Sequence, residues 1–92
     1  MANEKKAAGR GWTKKLATIA APSVVEGRYT VVRLRRDSTV EIAKSYETSR
    51  AAHQQATRIG NDTDCNTYVA TRRGGRVAIW CGPSALLTAV DL

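Results

Sequence analysis

Apolar residues recur along this chain in changing rhythms, and each change marks an element. Trp12, Leu16, Ile19 and Ala20 fall at helical spacing, which predicts about two turns of helix ending before Pro22. Lys14 and Lys15 lie off that stripe. The rhythm then shortens to two in RYTVVRLRRDSTVEIAKS. Thr30, Val32 and Leu34 point one way, Val31, Arg33 and Arg35 the other, and Arg36-Asp37-Ser38 turns the chain back, predicting a hairpin whose first strand has a basic face.

Helical spacing returns in the middle of the chain. Ser49, Ala52, Ala56 and Ile59 form a stripe of mostly small side chains, suited to lying close on a sheet. Glu47, Arg50, Gln54 and Arg58 face water, with His53 beside them. Ser45 is the expected cap of a helix from Tyr46 to Ile59, and Gly60 and Asn61 suit its end. Next come two β-prone runs, CNTYVAT and VAIWC, on either side of Gly74-Gly75. A glycine pair between strands predicts a two-residue hairpin turn, because glycine reaches the positive φ such turns need. The final GPSALLTAVDL offers Leu86, Leu87 and Val90, read either as a short helix closing the core or as an apolar patch for a partner.

Together these rhythms predict an α+β fold: a short N-terminal helix, then ββαββ, with one helix packed on a small, mainly antiparallel sheet. Residues 1–11 read as a flexible basic tail and residues 12–92 as one compact domain. At 92 residues, with alanine prominent in an apolar fraction of 42%, the core is lean. Domains of this kind commonly draw on a staple or a partner for part of their stability.

Charge is unevenly placed. Residues 1–36 carry Lys5, Lys6, Arg10, Lys14, Lys15, Arg28, Arg33, Arg35 and Arg36 against Glu4 and Glu26, so the whole surplus of +7 lies there. Such asymmetry suits a polyanionic partner, with nucleic acid or a nucleoprotein foremost. A membrane partner is not expected, since no stretch approaches the ~20 apolar residues of a spanning helix. TRRGGR adds a second cluster, with Arg72, Arg73 and Arg76 around a projecting tip. The predicted strand order sets this tip and the Arg33, Arg35, Arg36 cluster at opposite ends of the sheet, roughly 25 Å apart. That spacing suits a long anion better than a small ligand.

Catalysis is not expected. One His and two Cys declare no triad, and no phosphate loop or metalloprotease stretch occurs. Asp62 and Asp64 lack the further acidic ligands of a calcium loop. Cys65, Cys81 and His53 lack metal-site spacing, so neither metal nor cofactor is implied. A Cys65–Cys81 disulfide would belong to a secreted, stapled domain. The Gly74-Gly75 turn instead sets Cys81 opposite Tyr68, and the N-terminus does not read as an export signal. Trp12, Tyr29, Tyr46, Tyr68 and Trp80 are scattered and read as packing anchors, and no RNP-type or KH-type stretch is present. Contact with nucleic acid would therefore run through phosphates and shape, where arginine's forked geometry is effective.

VEIAKSYETSRAAHQQATRIG, a strand leading into a small-faced helix, followed by the hairpin NTYVATRRGGRVAIWC, resembles the small phage-encoded anti-CRISPR proteins, above all those acting on the type I-F surveillance complex. The likeness lies mainly in residues 39–81. It implies a non-enzymatic inhibitor in the cytoplasm of a bacterial host, docked on CRISPR effector (Cas) subunits and guide RNA and blocking target DNA hybridisation. In that reading Arg72, Arg73 and Arg76 form a hook, with Arg33, Arg35, Arg36, Lys14 and Lys15 as further contacts. The alternative is an autonomous small basic protein that binds DNA or RNA directly.

Overall fold

The computed structural model describes residues 12–35, 37–63 and 66–91. Helix α1 (Thr13–Ala20) runs into a short 3-10 turn (Ala21–Ser23). It is followed by β1 (Tyr29–Leu34), β2 (Val40–Tyr46), helix α2 (Ser49–Thr63), β3 (Asn66–Arg73), β4 (Arg76–Gly82) and β5 (Ala85–Asp91). All five strands form one sheet in the order β2-β1-β3-β4-β5, with every neighbouring pair antiparallel. The expected ββαββ plan is thus overturned. Three strands follow α2, and the described fold is αββαβββ, richer in strand than in helix.

The extra strand is the segment read as a short helix or an apolar patch. Leu and Ala favour helix in isolation. A helix there would have left the outer backbone groups of β4 without ladder partners, and unpaired backbone groups are costly wherever water is excluded. A two-residue turn, Pro83-Ser84, instead folds Ala85–Asp91 back along β4, from Gly82↔Ala85 to Arg76↔Asp91. The register slips near Trp80, so Leu87 is an extra residue between Leu86 and Thr88.

The β3–β4 hairpin forms as its glycines predict. Arg73 pairs with Arg76 and Gly74 takes φ +61 as the first turn residue, the position where a type II′ turn needs a positive φ. Continued by one pair beyond Val69↔Trp80, the register places Cys81 across from Tyr68. Cys65 lies outside the described residues.

β1 is the centre of the packing. Val31 and Val32, on opposite faces of the strand, are both fully buried, because the sheet carries a helix on each side. On one face Leu16, Ala17, Ala20, Ala21 and Val24 pack over Val32, Ala70, Val77 and Ile79. On the other, Ala52 and Ala56 of α2 sit on Val31 and Val69, with Tyr29, Tyr46, Ile59 and Trp80 around them. The expected stripe of α2 is therefore the one used. The stripe of α1 is rotated: Thr13, Leu16, Ala17 and Ala20 are buried, while Ile19 is 48% exposed. Small residues win the inner positions because they let the helix backbone approach the sheet closely.

The boundaries of α2 also differ from expectation. Tyr46 and Ser45 belong to β2, and the cap is Thr48, whose Oγ1 accepts a hydrogen bond from the Ala51 amide at 3.2 Å. The helix continues through Gly60 and Asn61 to Thr63. It connects β2 to β3, which run parallel with β1 between them. α2 lies mainly over β1 and β3, whereas α1 lies across the opposite face, nearest β5 and β4 and reaching Val40 of β2. Among the described residues no helix lies over the α2 side of β4 and β5.

Because Ile79 is fully buried, Ile79→Ala is expected to cost about 2–5 kcal/mol of stability through lost burial and a cavity. Leu87→Ala, on a side chain 38% exposed, is expected to cost under about 1 kcal/mol. Urea unfolding with an unchanged slope and a shifted midpoint checks both.

Candidate functional site

The bare strip of the sheet becomes a groove of about 690 Å³. Its floor can be read from three cross-strand rows on the α2 side. Nearest the Gly74-Gly75 tip, Arg73 faces Arg76 and Arg76 faces Asp91; next come Thr71, Ala78 and Ala89; then Val69, Trp80 and Leu86. A charged row thus gives way to a small row and then to a large apolar one. Trp80 forms the wall towards α2. Its indole Nε1–H donates to Thr71 Oγ1 at 2.9 Å, which fixes the ring along the sheet. Leu86 is 52% exposed at the outer margin. At the tip end the groove is bordered by Glu26, Arg28 and Tyr29 and by Ser49 at the start of α2.

The arginines expected to act as a hook are brought to one tip but not to one face. Strand alternation sends Arg72 to the α1 side. There its Nη1 reaches the Ala21 carbonyl at 3.5 Å, while its Nε donates to the Gly74 carbonyl at 3.2 Å. Arg72 therefore ties the tip to the end of α1. Arg73 and Arg76 point to the groove. Arg76 Nε donates to Asp91 Oδ1 at 2.9 Å, and that hydrogen bond, with the charge behind it, raises the pKa of the guanidinium. Asp91 is 78% exposed, so the pair adds little to stability. It does cancel one positive charge at the groove mouth. Arg73 is exposed and has no carboxylate partner among the described residues.

The second expected cluster is committed internally. Arg33 Nη2 donates to Glu41 Oε1 at 2.6 Å. Arg35 donates to the same oxygen, including a short contact from its Nη2. Hydrogen bonds from Arg35 and then Arg33 hold the Glu41 carboxyl below its ordinary range. Asp37, in the adjoining turn, is likewise lowered by accepting from the Thr39 hydroxyl and amide. Arg36 lies outside the described residues. Lys14 and Lys15 are exposed on α1, on the face of the sheet opposite the groove. The Lys15 ammonium stands 5.4 Å from the centre of the Trp12 ring, within cation–π reach.

Nothing in the sequence reading marks Arg28, Ala78 or Ala89 of the groove as a site, whereas Leu86 is offered there as part of an apolar patch for a partner. Trp80 was read as a packing anchor, and it is half one. Among the described residues Arg28 binds neutral partners, its Nε donating to Ser45 Oγ at 3.1 Å and its Nη2 to the Ser45 carbonyl at 3.2 Å. Its guanidinium is held in place with no carboxylate bonded to it among the described residues. Period-two alternation in RVAIWC does carry a signal, since it separates Ala78 and Trp80 from the core-facing Val77 and Ile79. Which of those faces lacked a helix is not contained in it.

A second cavity of about 130 Å³ lies where His53, Tyr68, Trp80 and Cys81 come together. Burial lowers the pKa of His53, and burial followed by the nearness of Cys81 raises that of Tyr68. Both shifts favour neutral side chains. Among the described residues no group of three or more His, Cys, Asp or Glu is placed to hold a metal ion. No helix among them is long and apolar enough to cross a membrane.

The depressed Glu41 carboxyl gives a pH dependence. Its contribution to stability is complete above the ordinary carboxyl value of 4.5 and is lost as pH falls through the lower folded value. Glu41→Gln is therefore expected to lower the melting temperature modestly near neutral pH, to converge with wild type as pH falls below the carboxyl range, and so to flatten the acid limb of the stability–pH curve, as read by thermal melts across that range. No protein-family model, curated protein or solved structure matches this chain.

Proposed function

We propose that this protein is a non-enzymatic docking inhibitor that attaches to a nucleic-acid-bearing protein assembly through the arginine-rimmed groove at its hairpin tip. The observation that carries the reading is the meeting, in one open groove, of an uncommitted Arg73 and a neutrally partnered Arg28 with the apolar Trp80 and Leu86. Surfaces that combine a desolvatable aromatic anchor with arginine are those on which binding energy concentrates. The type I-F guide-RNA-loaded surveillance complex is the target that the sequence resemblance implies, with target DNA hybridisation as the step blocked. The two-ended grip on a polyanion gives way to attachment at one end, because Glu41 holds Arg33 and Arg35.

The function predicts unequal effects among the arginines. Arg73→Glu is expected to lower retention of the guide-loaded complex by about tenfold or more, since it reverses an exposed interfacial charge. Arg35→Ala is expected to leave retention unchanged. Pull-down of the complex by the immobilised full-length protein, with and without nuclease, measures both. Wild-type retention by the Arg73 variant would sink the reading. Salt-sensitive binding of naked RNA or DNA, with no preference for the assembly, would replace it by autonomous nucleic-acid binding.

A further inference from the structure

The groove also has a shape and a pattern of chemistry that define its occupant. The uncovered strip is two strands wide, about 10 Å at the usual strand spacing, which is the diameter of one α-helix with its side chains. On the same face α2 lies mainly over β1 and β3, so the space beside it is that of a second, parallel layer-mate. Its middle row is small: Ala78 and Ala89 face each other across β4 and β5, where a helix backbone can come close. Its far row is large and apolar, with Trp80 beside Leu86. Its near row carries Arg73, while Arg76 is shared with Asp91.

That arrangement discriminates between ligand classes. A phosphate chain needs cations spaced along its path. Along this groove the cations stand at the tip end, with Glu26 among them and Asp91 paired to Arg76, and the remaining floor is the neutral Thr71 with the apolar Ala78, Trp80, Pro83, Leu86 and Ala89. An amphipathic helix matches the same rows, with apolar side chains over the small and large rows and a carboxylate against Arg73. We infer that the groove seats an acidic amphipathic helix of a protein subunit, its apolar face on Ala78, Trp80, Leu86 and Ala89 and its acidic flank on Arg73. The inference rests on the docking function above and specifies which component of the assembly fills the groove.

The test uses isotope-labelled full-length protein and follows the Trp80 indole and Arg73 side-chain resonances. Three probes are titrated: a synthetic helical peptide of about 15 residues with Leu and Ala on one face and Glu on its flanks, the same peptide with Lys for Glu, and oligouridylate RNA. The Glu peptide is expected to shift both resonances saturably and to bind about tenfold more tightly than the Lys peptide. Arg73→Glu is expected to invert that order, and Leu86→Glu, at a side chain already half exposed, to abolish binding while leaving the thermal melt near wild type. Equal binding of the two peptides, no saturable shift, or RNA moving the Trp80 indole in place of the peptide would overturn the inference. Retention of the guide-loaded complex separates the two claims. A complex still retained when the Glu peptide fails overturns the helix alone, and a bound Glu peptide with no complex retained overturns the docking function alone.

Discussion

A five-stranded sheet is wider than one helix, and this mismatch governs the molecule. Strands repeat at about 4.8 Å, so a helix shields roughly two of them. Among the described residues one helix serves each face: α2 lies over β1 and β3 on one side, while α1 lies across the other, nearest β5 and β4 and reaching Val40 of β2, with Val32 of β1 and Ala70 of β3 beneath it. β1 and β3 are shielded from both sides, which is why Val31, Val32, Val69 and Ala70 are all fully buried. Among the described residues no helix lies over β4 and β5 on the α2 side, and the groove lies there.

The lean composition follows the same constraint. Ala17, Ala20 and Ala21 on one side and Ala52 and Ala56 on the other bring the helices close to the strands, so that few large side chains fill the thin layers between them. Close approach gains dispersion contacts where large residues are scarce. Trp80 then serves two surfaces. It packs against the α2 core and also walls the groove, coupling the rigidity of the site to the stability of the fold.

Electrostatics narrow the site further. A net charge of +7 describes the protein at long range, where it steers anionic partners. At contact distance much of it is already committed: Arg33 and Arg35 to Glu41, Arg76 to Asp91, Arg72 to backbone carbonyls. Among the described residues, what remains available around the groove is Arg73, with Arg28 held by neutral groups.

The sequence by itself determined the local elements. Period-two alternation placed β1, β3 and β4, small residues at helical spacing set the buried face of α2, and Gly74-Gly75 set the hairpin and hence the register bringing Cys81 opposite Tyr68. These features depend on neighbours a few residues away. Ala85–Asp91 became a strand only because β4 presented an unpaired edge, and Ala17 displaced Ile19 from the core only because α1 had to approach a sheet. The open groove, the capture of Arg33 and Arg35 by Glu41 and the division of the arginine hook between two faces were likewise decided by tertiary structure. Each joins residues that only sheet order and helix placement bring together, and no periodicity along a single chain records which face another element covers.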